Sequence, residues 1–354
     1  MKTIKIGIIG AGRIGRVHAE NIAKFVPEME IKTIADPYMS EETVEFLRRL
    51  RIPNIVKDAD VILNDPEIKA VVVCSPTDLH AEYAIKVAEA GKDVFVEKPV
   101  DYRIDRVKEV IAAAKNLKIV VRAGAGYDNV DLAAASARGI VVMNTPGQNS
   151  NAVAELALAM MIFMSRNRFT PGTGTELQGK TLGIHAYGNV GRLVGRKGKA
   201  LGMNVVAYDP FIADGAVFEA DGVKKVASVE ELYRVSDFLS LHIPATAQTK
   251  GSIGYDLMMS MPKGATLVNT ARKEVIDEQG VMKALTERED LKYITDIAAG
   301  IQSELNEKFG RRVFATAKKM GAETAEANIN AGLAAANQIV DFFKNGNTRF
   351  QVNK

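Results

Sequence analysis

Residues Thr181 to Asp209 read TLGIHAYGNVGRLVGRKGKALGMNVVAYD. The stretch opens on a short apolar run ending at His185 and turns through Ala186, Gly188 and Gly191. It continues with helical apolar spacing at Leu193, Val194 and Leu201, and a second apolar run, Val205 to Tyr208, is closed by Asp209. Strand, glycine turn, helix, strand, acid is the order of a Rossmann unit. The turn brings backbone close to a pyrophosphate, the helix N-terminus presents its open N–H groups, and the acid, about 20 residues on, takes ribose hydroxyls. Ala186 stands where G-x-G-x-x-G has its first glycine. Asp209 favours NAD over NADP, because its carboxylate would repel a 2′-phosphate. Gly188, Asn189 and Val190 in the turn are the expected cofactor contacts.

The chain has 354 residues, more than one core usually serves, so two domains are expected. A hydrophobic content of 47% and a charged content of 25% are ordinary for a soluble globular protein. A net charge of +3, dispersed along the chain, gives no argument for nucleic acid or membrane. Cys74 is the only cysteine, so no disulfide forms within the chain, which fits a reducing cytoplasm. The sequence opens on a strand pattern, KIGIIG, with no charged-then-apolar leader. No apolar run approaches the roughly 20 residues of a membrane span. Ala152 to Met164 is the most apolar stretch and, interrupted by Glu155, reads as a buried helix between domains.

Residues 1–36 hold a second and more complete fingerprint. The strand IKIGIIG leads into Gly10-Ala-Gly12-Arg-Ile-Gly15, a helix runs from about Arg16 to Phe25, and the strand EIKTIAD ends in Asp36. Gly10, Gly12, Gly15 and Asp36 are therefore either a second nucleotide site or a well-packed βαβ turn. This portion, residues 1–102, resembles the N-terminal domain of the inositol dehydrogenase and glucose–fructose oxidoreductase family. The resemblance rests on GAGRIG, Asp36, CSPTDLHAEYAIKVAEAGKDVFVEKP and above all Glu97-Lys98-Pro99. It implies that Lys98 touches substrate near the nicotinamide. The Asp and His with which that family's second domain acts on the sugar have no counterpart after residue 102, where only His185 and His242 remain, so an ordinary strand-end lysine is the better reading.

From about Ile111 the character changes. RAGAGYDNVD, NTPGQNSNAVAELAL, SLHIPAT, GATLVNTARKEVIDE and KKMGAETAEANINAG, with the stretch quoted first, resemble the D-isomer-specific 2-hydroxyacid dehydrogenases over residues 111–354, and most closely the short phosphoglycerate-oxidising branch. The resemblance implies two Rossmann-like, doubly wound parallel-sheet domains of the α/β class joined by long helices. Residues 1–148 with 318–354 would form the substrate side, and 149–317 the NAD domain. It also implies a homodimer. The chain thus reads as a fusion of two families, with the joint in the predicted helix DRVKEVIAAAKNL.

Hydride exchange at C2 of a 2-hydroxy acid needs a bound nicotinamide, a grip on the carboxylate and a proton acceptor or donor. The resemblance makes Arg272 the residue that binds carboxylate and polarises the carbonyl, a task suited to a planar, always charged, bidentate guanidinium. It makes Arg122, Ala123 and Gly124 a second carboxylate or phosphate contact, with glycine letting backbone N–H groups face an anion. Asp296 becomes the acceptor of the nicotinamide carboxamide N–H, with His242 and Thr270 beside the cofactor. Relatives place a histidine before the Gly-Ala of the last motif, and here that position is Lys319. Lys319 is therefore the expected acid/base, with burial and the Arg272 charge favouring its neutral form. Lys273 and Lys318 are weaker candidates. Cys74 reads as packing, and no His/Cys/carboxylate cluster has metal spacing. The leading expectation is an NAD-dependent dehydrogenase of a phosphorylated D-2-hydroxy acid, D-3-phosphoglycerate, at the head of serine biosynthesis. The alternatives are a sugar or inositol dehydrogenase using the first fingerprint, and a nucleotide binder without turnover.

Overall fold

The computed structural model of the chain describes residues 3–127 and 130–354. Asp128 and Asn129, within the RAGAGYDNVD motif, lie outside the described residues. The chain divides into two compact units, one of residues 1–148 with 328–354 and one of residues 149–327.

In the first unit strands and helices alternate: β1 (Ile4–Ile9), α1 (Arg13–Phe25), β2 (Met29–Ala35), α2 (Glu41–Arg49), β3 (Asn54–Val56), α3 (Asp60–Leu63), β4 (Ala70–Val73), α4 (Thr77–Glu89), β5 (Asp93–Val96), α5 (Ile104–Ala113), β6 (Ile119–Arg122), α6 (Leu132–Ala137) and β7 (Val141–Asn144). The first five strands form one parallel sheet in the order β3-β2-β1-β4-β5, while β6 and β7 pair with each other in a separate parallel sheet. The chain reverses its winding between β1 and β4, the place where doubly wound sheets open a crevice at their strand ends. Both faces of β1 are apolar and covered: Ile6 and Ile8 lie in one core cluster and Ile9 in another. Such runs without alternation belong to parallel strands sandwiched by helices. Ser40 caps α2, its hydroxyl accepting the Thr43 N–H at 3.2 Å.

The second unit holds α7 (Ser150–Ser165), β8 (Thr181–His185), α8 (Asn189–Ala200), β9 (Asn204–Tyr208), α9 (Ala216–Ala220), β10 (Lys224–Lys225), α10 (Val229–Val235), β11 (Phe238–Leu241), α11 (Tyr255–Ser260), β12 (Thr266–Asn269), α12 (Glu278–Glu287), β13 (Lys292–Thr295), α13 (Gln302–Phe309) and β14 (Val313–Ala315). Its seven strands are all parallel, in the order β10-β9-β8-β11-β12-β13-β14. The apolar helix expected at 152–164 is α7, which packs on α8 and β12 and buries Ala154, Ala157, Met161 and Met164. The last helix, α14 (Ala325–Asn345), begins in the second unit and continues in the first. In the first unit it contributes Ala335, Ile339 and Phe342 to a cluster with Val121 and Met143. No helix among the described residues is long and apolar enough to cross a membrane.

Candidate functional site

In the second unit the chain leaves β8 at His185 and turns at Ala186, whose φ of +75° is the left-handed conformation the missing glycine would have taken freely. Two hydrogen bonds hold the turn against β9. Ala186 N donates to the Tyr208 carbonyl at 2.9 Å, and Tyr187 N donates to Asp209 Oδ2 at 2.9 Å. Tyr187 is fully buried, stacks on Phe218 with centroids 4.8 Å apart, and donates its hydroxyl to Asp221 at 3.0 Å. Gly188 then caps α8 in an extended conformation, with no side-chain cap on the helix. The open N–H groups of a helix start are the usual seat of a phosphate. A Cβ on Gly188 would meet nothing within 4 Å, so the space before the helix is open; one on Gly191 would sit 2.2 Å from the Ala186 carbonyl oxygen, so only glycine lets the helix approach the turn. Asn189 is exposed and Val190 half-buried. Asp209, 7% exposed, also accepts the Phe211 N–H through Oδ1 at 2.9 Å.

Further along the same row of strand ends lie His242 after β11, Thr270 after β12 and Asp296 after β13. Thr270 is buried and its hydroxyl has no hydrogen-bond partner. A buried orphan hydroxyl is costly, and a polar group of a bound cofactor would satisfy it. With the open cradle at Gly188 and the held acid at Asp209, these residues fit NAD. His242 approaches the Ser240 hydroxyl at 2.9 Å through Nε2; burial, and then the nearby His185, push its pKa down to about 3. Burial pushes His185 down to about 4, against the pull of Asp209. Two rings held neutral under the cofactor cradle pack rather than shuttle protons at pH 7.

The loop after β12 carries Arg272. Asn269, wholly buried, clamps it: its Oδ1 accepts the Ala271 N–H at 3.0 Å and its Nδ2 donates to the Arg272 carbonyl at 3.0 Å. The Ala271 carbonyl then receives two cations. Arg272 Nη1 donates to it at 3.1 Å and Lys319 Nζ at 3.3 Å. The guanidinium and the ammonium thus meet on one oxygen, although their positions in the chain are 47 residues apart (319 minus 272). Lys319 is exposed, so the burial expected from the sequence is not what would tune it; it lies in the irregular segment after β14. Lys273 and Lys318 are exposed as well. Asp296 is wholly buried, and its carboxylate accepts three donors within the protein, the Thr316 hydroxyl at 3.1 Å, Met320 N at 2.8 Å and Gly321 N at 2.7 Å. Asn269 and Thr316 escaped the sequence reading. The only signal was a short polar residue just past an apolar run, the kind whose side chain binds nearby backbone.

In the first unit the fingerprint repeats this geometry bond for bond. Gly10 has a φ of +99°, Ala11 N donates to Asp36 Oδ2 at 2.7 Å, and Tyr38 N donates to Asp36 Oδ1 at 2.8 Å. Gly12 caps α1 with open space at its Cβ position, and a Cβ on Gly15 would lie 2.0 Å from the Gly10 carbonyl. Cys74 backs the turn: a Cβ on Gly10 would fall 2.5 Å from its carbonyl, and burial raises its thiol pKa well above the ordinary value. Lys98 is exposed, while Glu97 is hydrogen-bonded to His18 at 2.6 Å. Burial alone would raise the Glu97 carboxyl; His18 and the Lys98 N–H hold it below its usual value instead. The Arg122 loop is closed on itself. Gly124 N, expected to face an anion, donates to the Thr145 hydroxyl at 2.6 Å, and the Arg122 side chain folds over Gly124, where a Cβ would meet its Nη1 at 1.5 Å. Ala123 is half-buried. Among the described residues, no group of three or more His, Cys, Asp or Glu side chains gathers as a metal site requires.

Fold and site together define a dinucleotide-binding α/β protein of the oxidoreductase kind. The sequence profile of the D-isomer-specific 2-hydroxyacid dehydrogenase NAD-binding domain matches residues 152–309, and that of an oxidoreductase family with an NAD-binding Rossmann fold matches residues 4–125. The NAD⁺-bound 3-phosphoglycerate dehydrogenase of Entamoeba histolytica is a structural relative at 39% identity, covering 99% of each chain with a TM-score of 0.69. The D-3-phosphoglycerate dehydrogenase of Archaeoglobus fulgidus is 33% identical over 90% of this chain and 58% of its own length, so the similarity reaches into the first third. That of Methanocaldococcus jannaschii is 36% identical over 66% of this chain and 47% of its own length. The chain therefore spans about half the length of the curated relatives it matches. It belongs to the D-isomer-specific 2-hydroxyacid dehydrogenases, and its second unit is their NAD-binding domain.

Proposed function

We propose that the chain moves a hydride between NAD and a D-2-hydroxy acid, with D-3-phosphoglycerate, the first step toward serine, as substrate. The observation that carries this is the meeting of Arg272 and Lys319 on the Ala271 carbonyl, in the unit that holds the NAD cradle. NAD, when bound through Gly188, Asn189, Val190, Asp209 and Thr270, supplies the hydride acceptor. The chain's own part is to hold an anion and to move one proton. Arg272 grips the carboxylate with its fork. Lys319 in its neutral form takes the hydroxyl proton as the alcohol is oxidised, and in its charged form returns it in reduction. Oxidation should therefore speed up as pH rises and reduction as pH falls. Lys319→Ala tests this: the variant should lose about 10²–10⁴-fold in turnover and lose the pH dependence. Wild-type turnover with an unchanged pH profile in that variant would remove Lys319 from the chemistry.

The substrate side in this reading is residues 1–148 with the end of the chain from 328 rather than 318, since Lys319 belongs to the unit of Arg272, and Arg122 and Ala123 are its phosphate-side contact. The names of the relatives support phosphoglycerate. A cytoplasmic homodimer completes it; sedimentation of the purified chain tests the dimer. One observation favours a second nucleotide site as well. Gly10, Gly12, Gly15 and Asp36 reproduce the Ala186–Asp209 hydrogen bonding, with Asp36 the more open of the two acids. NAD titration should then find two sites per chain, reduced to one by Gly12→Glu.

A further inference from the structure

The first unit holds a cavity of about 80 Å³ whose walls include none of Gly10, Gly12, Gly15 and Asp36. The walls are apolar and come from five elements: Ile22 of α1, Ile6 of β1, Val72 of β4, Val94 of β5 and Leu333 of α14. Two polar groups break this surface. Asn21, 6% exposed, lies on the buried face of α1 and lines the cavity, and its Nδ2 has no hydrogen-bond partner among the described residues. The neighbouring His18 offers it no acceptor at Nε2, which is taken by Glu97 at 2.6 Å. A buried donor left unsatisfied is costly and calls for an acceptor. Asp93, the first residue of β5, is the second group. The residue is exposed and so stands at the rim, yet burial of its carboxyl, with no neighbouring charge to oppose it, holds the pKa above the ordinary value. Among the described residues its carboxylate has no hydrogen bond or ion pair.

We propose that this cavity binds a short aliphatic amino alcohol, its hydroxyl oxygen accepting from Asn21 Nδ2, its carbons against the apolar walls and its ammonium on the Asp93 carboxylate. An amide NH₂ is a donor only, so the inner end of the ligand must accept. The rim carries a negative charge, which attracts an ammonium and repels a carboxylate or a phosphate. That charge sets the site apart from one for a hydroxy acid or a dinucleotide. A cavity of about 150 Å³ holds the six carbons of benzene, so 80 Å³ takes roughly three or four non-hydrogen atoms. One oxygen and two or three carbons fill it, with the last carbon and the charge at the rim. Arg272 and Lys319 belong to the other unit, and the inference rests on no step of hydride transfer.

Calorimetric titration of the NAD-free chain tests this, with 3-amino-1-propanol and 4-amino-1-butanol beside n-butylamine, n-butanol and 4-hydroxybutyrate. The better amino alcohol should bind once per chain. It should bind roughly tenfold more tightly than butylamine, which lacks the acceptor, and than butanol, which lacks the cation, about the worth of one hydrogen bond in each case. 4-Hydroxybutyrate, which brings a carboxylate to the rim, should not bind. Asn21→Leu replaces the donor with an apolar group of similar size and should erase the advantage over butylamine. Asp93→Asn removes the charge and should erase the advantage over butanol; at the rim it serves if the leucine variant does not fold. Both variants should turn over substrate as the parent does. Amino alcohols that bind no more tightly than butylamine and butanol overturn the inference, and so does binding that both variants leave unchanged.

Discussion

Ala186→Gly is the substitution whose magnitude the structure sets most closely. Ala186 is held at a φ of +75° by Tyr187 and Asp209, in a turn where the first fingerprint has Gly10 at +99°. A left-handed non-glycine residue costs roughly 1–2 kcal/mol, kept in place only where its surroundings over-determine it. Glycine removes that strain but makes the unfolded chain more flexible, which takes back about 0.4–1 kcal/mol. The net gain should be roughly 0.5–1 kcal/mol. In a unit of this size that is a rise of about 1–4 °C in Tm, read by calorimetry of the NAD-free protein. NAD affinity should change less than twofold, because the backbone already has the shape the nucleotide needs. Gly10→Ala is the opposite case. It adds the strain and also places a Cβ 2.5 Å from the Cys74 carbonyl, so it should destabilise the first unit by more than 2 kcal/mol. An Ala186→Gly protein no more stable than the parent would refute the reasoning that the alanine is strained. A tenfold gain in NAD affinity would mean that its methyl group stands in the nucleotide's way.

Two further outcomes follow from the site. Arg272→Lys keeps the charge but loses the fork, and should lower kcat/KM by about 10–100-fold, the worth of one charge-assisted hydrogen bond; the steady-state assay with 2-hydroxy acid reads it. Stability should fall as pH drops from 6.5 toward 4. The unfolded chain takes up a proton at the ordinary histidine pKa of 6.5, which folded His185 refuses until about pH 4. More protons are then bound in the unfolded state, and the His185 share of the loss is roughly 3 kcal/mol. His242 acts in the same direction. Denaturant unfolding at pH 7 and pH 5 reads the slope, and His185→Gln should flatten it.

Much of this was legible in the sequence because it depends on local pattern. The β8 strand begins and ends where its apolar run does, at Thr181 and His185, and Asp209 meets its turn because a βαβ unit of fixed length brings the second strand alongside the first. Motif positions named Arg272 and Lys319 as candidates for one site, and both side chains donate to the Ala271 carbonyl. What was not legible depends on the third dimension. Nothing in KKMGAE says that the segment lies on the surface, so Lys319 was expected to be buried. Nothing in KYITD says that the carboxylate at its end holds the backbone of residues 320–321. The closing of Gly124 by Thr145 depends on a neighbouring strand end 21 residues away, and the pattern of the loop alone reads the same whether its N–H groups are open or taken.

The central claim is that hydride transfer uses the second fingerprint and not the first. Gly188 and Gly12 are both open at their Cβ positions, so a glutamate at either place blocks a pyrophosphate without disturbing the fold. NADH formation should be measured with D-3-phosphoglycerate and with myo-inositol in the parent chain, Gly188→Glu and Gly12→Glu. The account predicts turnover of D-3-phosphoglycerate that is lost in Gly188→Glu and kept in Gly12→Glu. Turnover that survives Gly188→Glu and disappears in Gly12→Glu would contradict it.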